Sequence, residues 1–260
     1  MKTPITEQIT GTVATLTLNR PAVFNSFNRE MALLLQERLA ACEKNGAVRA
    51  IVITGAGKAF CAGQDLKEVI TPSLNPGFKK ILEEHYNSII IKIRGIQKPV
   101  IAAVNGVAAG AGANIALACD VVVASEKACF IQAFSKIGLV PDSSGTFFLP
   151  RLIGFQKASA LMMLGDKVTA AAAEKMGMVY KVTAPETFGQ EWRAIAKTLA
   201  TMPTGALGLT KRLLNKCMVN TLEEQLELES KLQIEAAQSD DYNEGVAAFL
   251  EKRTPNFKGR

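Results

Sequence analysis

The sequence is short of the residues from which metal centres and histidine-dependent active sites are built. It holds one histidine, His85, and five widely spaced cysteines without a Cys-x-x-Cys pair. Neither a disulfide framework nor a zinc site is therefore indicated, and a serine–histidine–aspartate triad has little support. We expect His85 to be an exposed surface residue, and we expect no metal ion.

Long apolar runs and aromatic residues are also scarce. No stretch reaches the eighteen or so uninterrupted apolar residues of a membrane span, and the N-terminal residues lack the apolar core of a signal peptide. Aromatic residues are only 6% of the chain and the basic residues are scattered, which disfavours a base-stacking surface for nucleic acid. We expect a cytoplasmic protein with no membrane partner, whose net charge of +6 suits a polyanionic ligand.

Apolar strands and amphipathic helices alternate along the chain. Strand patterns lie at 9–18, 50–54, 100–104, 121–124 and 179–182. Helical patterns lie at 27–45, 78–96, 111–119, 157–164, 170–176 and over most of the chain from 190 onward. This order predicts an α/β core followed by a helical extension. The periodicity does not distinguish a doubly wound sheet from other α/β architectures.

A turn made only of glycine and alanine is the most informative local feature. It spans residues 108–113, between an apolar strand and an apolar helix. Small residues let a ligand approach the backbone, and the first N–H groups of a helix are available to bind it. The spacing is not Gly-x-Gly-x-x-Gly and no Gly-Lys-Ser/Thr follows, so an oxyanion site is favoured over a nucleotide phosphate site. Close packing of helix on strand is the alternative.

A second turn of small residues follows the strand at 49–55. It contains Gly57, Ala62 and Gly63, and so it could supply another backbone donor. Two donors that converge on one oxygen are what an oxyanion hole requires.

Three segments together resemble the motifs of a known family. Phe60–Leu66, Pro99–Gly112 and Gly138–Thr146 are similar to the motifs of the enoyl-CoA hydratase/isomerase (crotonase) superfamily, in the same order and at similar spacing. The resemblance extends from Leu16 to Phe257 and so covers nearly the whole chain.

The resemblance implies a fold, a partner and an oligomeric state. The expected fold is α/β, a crotonase-like spiral of β-β-α repeats. Residues 1–196 would form the core with the CoA and active sites, and residues 197–260 a helical region that builds a homotrimer or a dimer of trimers. The amphipathic stretch Leu222–Ile234 fits such a contact, although packing on its own core is an equal alternative. The substrate would be an acyl-CoA thioester, with no separate cofactor.

The resemblance also implies catalytic roles. The backbone N–H groups of Gln64 and Ala111 would form the oxyanion hole, and Asp142 would transfer a proton. From the residues alone, Asp142 before a helix is typical of an N-cap. The two glutamates of the hydratases fall at Asn114 and Phe134, neither of which is acidic. A single carboxylate suits an isomerase, which needs no water.

Other residues are implied in substrate binding. Asn114, Phe134 and Ser144 would line the acyl pocket, and Ser144 stands where relatives usually have glycine. The CoA moiety would contact Val23, Phe24, Ala62 and Asp65 of one subunit, and Phe249 and Lys252 of a neighbouring subunit. A solvated surface lysine is the alternative for Lys252.

Within the superfamily, the chain is most similar to isomerases of ring-epoxidised phenylacetyl thioesters from phenylacetate breakdown. Residues 24–28, 63–66, 133–136 and 241–246 carry that similarity, whereas residues 68–86, which would shape the acyl pocket, diverge from these isomerases. Three alternatives stay open: a 3,2-enoyl-CoA isomerase of fatty acid degradation, a residual hydratase, and a non-catalytic relative that binds CoA or RNA.

Overall fold

Two β-sheets organise residues 3–260, the part of the chain that the computed structural model describes. The strands are β1 (Ile5–Thr10), β2 (Val13–Leu18), β3 (Ala50–Gly55), β4 (Ala59–Cys61), β5 (Val100–Val104), β6 (Val107–Ala109), β7 (Val121–Ser125), β8 (Cys129–Ile131), β9 (Lys167–Thr169) and β10 (Lys181–Thr183).

From β3 to β8, consecutive strands alternate between the two sheets. The larger sheet has the order β1-β2-β3-β5-β7-β10, and the smaller has the order β4-β6-β8-β9. The hairpin β1–β2 and the pair β8–β9 are antiparallel, and the other pairs are parallel. Each passage along the chain therefore adds one strand to each sheet and then a helical segment. This is the spiral of β-β-α repeats that the resemblance implied, and the expected fold class is confirmed.

Helices cover the spiral and form the C-terminal region. They are α1 (Arg29–Lys44), α2 (Leu66–Ile70), α3 (Phe78–Lys80), α4 (Ser88–Gly95), α5 (Ala111–Leu117), α6 (Gly145–Ile153), α7 (Phe155–Leu164), α8 (Ala170–Lys175), α9 (Pro185–Thr201), α10 (Thr204–Lys216), α11 (Leu222–Ala237) and α12 (Asp240–Leu250). A π-helical segment, Ile81–Asn87, joins α3 to α4, and short 3₁₀ helices lie at Pro21–Val23 and Ala133–Ile137.

The central strands β3 and β5 of the larger sheet are buried on both faces, and their alternating side chains enter two different cores. Ile51 and Ile53 of β3 belong to the main core between the sheets and helices. Ala50 and Val52 face a second core formed with Phe188, Trp192 and further residues of α9. Parallel strands covered on both faces have near-continuous apolar sequences, which explains why β3, β5 and β7 were visible in the sequence.

Several element boundaries differ from the sequence predictions. The short strands β4, β6, β8 and β9 were missed, the strand expected at 179–182 is Lys181–Thr183, and α9 begins at Pro185 rather than near 190. Residues 251–260 are not helical. The proposed boundary between residues 196 and 197 falls inside α9, and the division into two regions stays a prediction.

No helix within residues 3–260 has the length and apolarity needed to cross a membrane. Within the same residues, no group of three or more His, Cys, Asp and Glu side chains is arranged to hold a metal ion.

Candidate functional site

The two turns of small residues meet at the edge of the smaller sheet. β4 and β6 are parallel neighbours, so the backbone that leaves each strand emerges on the same side. Gly63 has φ +92°, and a Cβ placed on it would lie 2.9 Å from the carbonyl oxygen of Ala109 and 3.5 Å from the nitrogen of Ala111. A side chain at position 63 would therefore be strained and would crowd the other turn. Glycine here lets the two backbones approach each other.

Both predicted oxyanion donors are available in this arrangement. Neither the N–H of Gln64 nor the N–H of Ala111 donates a hydrogen bond to an acceptor within residues 3–260. The first N–H of a helix has no partner within the helix, and the N–H of Gln64 lies on a half-buried turn, so both donors are free to bind one ligand oxygen.

Close packing of helix on strand was the alternative interpretation of residues 108–113, and it applies to Gly112. A Cβ on Gly112 would overlap the backbone oxygen and the side chain of Cys61. Gly112 therefore allows α5 to pack directly on the end of β4, and that packing determines where the neighbouring Ala111 N–H lies.

One cavity of about 240 Å³ contains the predicted catalytic groups. Gln64, Ala111 and Asp142 line it together with Ala62, which was expected to contact CoA, and Phe134, which was expected in the acyl pocket. The remaining wall is largely apolar, and it is formed by Gly63, Leu66, Val69, Phe78, Ile81, Leu82, Tyr86, Gly110, Ala133, Lys136, Ile137 and Leu139. The shape suits an apolar acyl group with a polar reacting end.

Asp142 is the carboxylate in this cavity. It is half-buried, and burial raises the pKa of its carboxyl group, while the hydroxyl of Ser143, which donates to Oδ1 at 2.7 Å, opposes that rise. A raised pKa lies closer to the range in which a carboxylate can both accept and return a proton.

The N-cap interpretation of Asp142 is wrong. Helix α6 begins at Gly145 with Ser144 at the cap position, and no side chain caps it. The backbone carbonyl of Asp142, not its carboxylate, accepts from the N–H of Gly145 at 2.9 Å. Ser143 and Ser144 have φ +50° and +62°, a left-handed conformation that is uncommon for residues other than glycine. This strained turn directs the Asp142 side chain into the cavity.

Two of the three expected acyl-pocket residues do not line the cavity. Asn114 is buried behind its wall, where its amide donates to the backbone oxygen of Asp142 at 2.8 Å and its oxygen accepts from Gln132 at 2.8 Å. Ser144 also lies outside the cavity lining, whereas Phe134 belongs to it. The residue at the position of the first hydratase glutamate therefore supports the backbone of Asp142.

The residues expected to bind CoA fall into two groups. Val23 and Phe24 are exposed, and the carbonyl of Phe24 accepts from the N–H of Ala62 at 3.0 Å, so these residues lie beside the cavity. Asp65 caps α2 and forms an ion pair with Arg20 at 2.8 Å.

Phe249 and Lys252, from the second group, are not part of the cavity lining. Phe249 is exposed at the end of α12, where it lines a separate groove, and Lys252 is exposed just beyond it. Their proposed contact with CoA therefore needs a neighbouring subunit.

The expectation that His85 lies on the surface is wrong. His85 is 1% exposed, on the π-helical segment, and its Nε2 lies 3.0 Å from a guanidinium nitrogen of Arg29. Burial, and secondarily the charge of Arg29, lower the pKa of His85. The neutral ring accepts a hydrogen bond from Arg29, and this is a structural contact outside the cavity lining.

Tyr86 and Glu68 were not singled out from the sequence. Tyr86 lines the cavity, and both side chains bond to the side chain of Gln64. Gln64 precedes helix α2, so the helical spacing rule does not apply to Gln64 and Glu68, and the sequence held no signal for either contact.

Comparisons with known proteins point to one family. A family model described as "Enoyl-CoA hydratase/isomerase" matches residues 8–260. The chain is 46% identical over 250 residues to a "1,2-epoxyphenylacetyl-CoA isomerase" of Escherichia coli (strain K12), covering 95% of both chains. It is 44% identical to a "Probable enoyl-CoA hydratase" of Rhodobacter capsulatus, covering 97% of both. The crystal structure of an enoyl-CoA hydratase from Polaromonas sp. JS666 superposes with a TM-score of 0.91 at 36% identity, covering 97% of this chain and 99% of that one.

Proposed function

This chain belongs to the enoyl-CoA hydratase/isomerase (crotonase) family, and from that premise we propose that it isomerises an acyl-CoA thioester. The observation that carries the proposal is the presence of one carboxylate, Asp142, in the same apolar cavity as two unpaired backbone donors.

The proposed chemistry begins at the carbon beside the thioester carbonyl. The Asp142 carboxylate removes a proton from this carbon, and the negative charge moves to the thioester oxygen. The N–H groups of Gln64 and Ala111 stabilise this oxyanion, and such donors contribute about 3 kcal/mol each when water is excluded. Asp142 then returns the proton to another carbon of the same molecule, so that no water or second acid is consumed.

The substrate that we propose is 2-(1,2-epoxy-1,2-dihydrophenyl)acetyl-CoA, which would become its oxepin isomer. The similarity to the Escherichia coli protein supports this choice, and the cavity walls contributed by Phe78, Phe134 and Leu139 suit a ring. Transfer of a proton from C2 to C4 of a 3-enoyl-CoA, which gives the 2-enoyl isomer, uses the same base and the same oxyanion hole. We propose it as a second activity.

Hydration of a 2-enoyl-CoA is the second candidate, because the name of the Rhodobacter capsulatus relative favours it. Hydratases of the family use two glutamates, and here their positions hold Asn114 and Phe134. Within residues 3–260, Asp142 is the one carboxylate that lines the cavity. A water molecule would therefore lack the second acid–base group that hydration requires.

The test is a proton-exchange and isomerisation assay. Wild-type protein and the variants Asp142→Asn and Asp166→Asn are each given 3-enoyl-CoA or the ring epoxide in heavy water, and mass spectrometry follows products and deuterium. Asp166 is an exposed aspartate outside the cavity, so Asp166→Asn is the matched control. We expect turnover and deuterium incorporation in the wild type and the control, and loss of both in Asp142→Asn.

Two other results would contradict the proposal. Full activity in Asp142→Asn would remove Asp142 from its role. A 3-hydroxyacyl product from 2-enoyl-CoA as the main activity would indicate a hydratase. Thermal unfolding serves as the folding control. Asp142→Asn should unfold at or above the wild-type temperature at neutral pH, because the ionised form of a carboxylate with a raised pKa is unfavourable in the folded protein.

We also propose a homotrimer, or a dimer of trimers, in which helices α11 and α12 meet a neighbouring subunit. Leu222, Leu226 and Ile234 of α11 are exposed by 69%, 52% and 63%, and Phe249 and Leu250 of α12 by 82% and 74%. An apolar surface of this kind is typical of an interface. Light scattering of the purified protein would measure the oligomeric state, and a monomer would contradict the proposal.

A further inference from the structure

The side chain of Gln64 is held at both ends by buried polar partners. The hydroxyl of Tyr86 donates to its Oε1 at 2.7 Å, and its Nε2 donates to Oε2 of Glu68 at 2.9 Å. Because a carboxylate can only accept, the amide nitrogen must face Glu68 and the amide oxygen must face Tyr86. Arg29 is the first residue of α1, and its backbone N–H donates to the second oxygen of Glu68 at 2.8 Å.

These partners come from separate parts of the fold and exclude water. Tyr86 is 0% exposed and Glu68 is 7% exposed. Together they connect the start of α1, helix α2 and the π-helical segment to the turn that carries Gln64. A hydrogen-bonded network among side chains that are largely buried makes the local conformation rigid.

The backbone on either side of Gln64 is fixed by the same region. The N–H of Phe27 donates to the carbonyl of Gly63 at 2.7 Å, and the N–H of Asp65 donates to the carbonyl of Phe27 at 2.8 Å. The ring of Phe27 meets the ring of Tyr86 edge-on, with centroids 6.0 Å apart. Tyr86, which holds the Gln64 side chain, therefore also packs against Phe27, which holds the Gln64 backbone.

We infer that Tyr86 and Glu68 are positioning residues, which act through the side chain of Gln64 to hold its backbone N–H at the oxyanion site. This inference rests on the proposed function. Neither residue contributes a group to the reaction itself, and the amide of Gln64 acts as the connection between them.

The local helix geometry supports the inference. Tyr86 lies in the seven-residue π-helical segment Ile81–Asn87, and π-helical turns occur frequently at functional sites. The same segment places Ile81 and Leu82 in the cavity wall. Both positioning residues lie within residues 68–86, the segment that also contributes Val69, Phe78 and Leu82 to the cavity wall.

The experiment measures polarisation of the thioester carbonyl separately from turnover. The probe is a dimethylaminocinnamoyl thioester of CoA, whose absorbance moves to longer wavelength when donors draw charge onto its carbonyl oxygen. Tyr86→Phe deletes only the hydroxyl group. Tyr180→Phe is the matched control, because Tyr180 is 70% exposed and lies outside the cavity.

We expect Tyr86→Phe to lose a measurable part of the wavelength shift. We expect its kcat to fall roughly tenfold, as for loss of about 1.4 kcal/mol of transition-state stabilisation, while KM stays within about twofold. Tyr180→Phe should match the wild type in all three quantities. A wavelength shift and kcat that are unchanged in Tyr86→Phe would overturn the inference.

Variants at Glu68 test whether the two residues act through one group. Glu68→Ala should reduce the wavelength shift as Tyr86→Phe does. Glu68→Gln should recover most of it, because the amides of residues 64 and 68 can both turn and keep the chain of hydrogen bonds. In the double variant Glu68→Ala/Tyr86→Phe, the loss in kcat should be smaller than the product of the two single losses. Multiplicative losses, or no rescue by Glu68→Gln, would contradict the inference.

The two readouts separate this inference from the proposed function. A wild-type protein that polarises the probe but isomerises neither substrate would defeat the proposed activity, while the wavelength shifts of the variants would still decide the roles of Tyr86 and Glu68. A wild type that binds the probe without any wavelength shift would overturn the inference, because the oxyanion site itself would be missing.

Discussion

The two turns that offer backbone donors are supported in different ways. The Ala111 turn contains only glycine and alanine from 108 to 113, and it is held because Gly112 allows its backbone to lie against Cys61. The Gln64 turn also contains a closely packed glycine, Gly63, but it has in addition the side-chain hydrogen bonds of Gln64 to Tyr86 and Glu68. The same chemical group is thus positioned once by close backbone packing alone and once with a buried polar network in addition.

This difference determines how each turn responds to substitution. Packing between backbones leaves no space for even one added carbon, so the Ala111 turn should be sensitive to any enlargement of Gly112. A network of side chains can lose a member and keep the fold, and the Gln64 turn should then lose precision before it loses stability.

The largest effect is expected where the tight packing is broken, in Gly112→Ala. The new methyl group overlaps Cys61, and overpacking of this kind costs about 1–3 kcal/mol. Displacement of the neighbouring Ala111 N–H should lower kcat roughly a hundredfold. Gly46→Ala, where an added Cβ has nothing within 4 Å, is the control. Calorimetry and steady-state kinetics measure both effects, and a stable, fully active Gly112→Ala would show that the close packing is not required.

A smaller effect is expected from Gln64→Ala, which keeps the backbone donor and removes its connection to Tyr86 and Glu68. We expect kcat to fall roughly tenfold with a much smaller change in KM, because the donor remains but its orientation relaxes. Ala111→Gly provides the comparison at the other turn, where no side-chain hydrogen bond supports the backbone, and it should change kcat by less than about threefold. Equal losses in the two variants would remove the distinction between the turns.

The smallest expected effect is a shift in the pH profile of kcat/KM, which depends on Asp142 and not on the two turns that hold the backbone donors. Asp142 must be ionised to accept a proton, so kcat/KM should fall as the pH drops through its raised pKa, at higher pH than for an ordinary aspartate. Ser143→Ala removes the hydrogen bond that opposes this rise, and it should move the acidic limb of the profile to still higher pH. Gln64→Ala should leave the limb in place while lowering its plateau. If the acidic limb of the pH profile is at the same pH in Ser143→Ala and in the wild type, this would count against Asp142 as the base.

The sequence was informative where function depends on residues that are close in the chain. The strands over 50–54, 100–104 and 121–124 were predicted because they are buried on both faces and hence continuously apolar. Gln64, Ala111 and Asp142 were identified from local motifs, and the structure brings all three into one cavity. Their catalytic roles remain proposals.

Predictions were wrong where the environment comes from distant residues. The lone histidine lies in a polar helical stretch and was expected at the surface, but contacts with α1 bury it. Asn114 was expected in the pocket because of its place in a motif, whereas packing under Asp142 encloses it. The three-residue strands of the smaller sheet were too short to show a period, since only their partners across the sheet define them.

By itself the amino-acid sequence determined the alternation of strands and helices and the two turns of small residues. It also determined that Asp142 is present while Asn114 and Phe134 stand at the positions of the two hydratase glutamates. These features depend on residue size, charge and order, which are local properties. Only the tertiary structure decided that Gly63 and Ala111 adjoin, that Asp142 points into an apolar cavity, and that Tyr86 and Glu68 hold Gln64. Each of these contacts joins residues whose separation in the chain carries no signal, because burial and hydrogen-bond partners exist only once the spiral has closed.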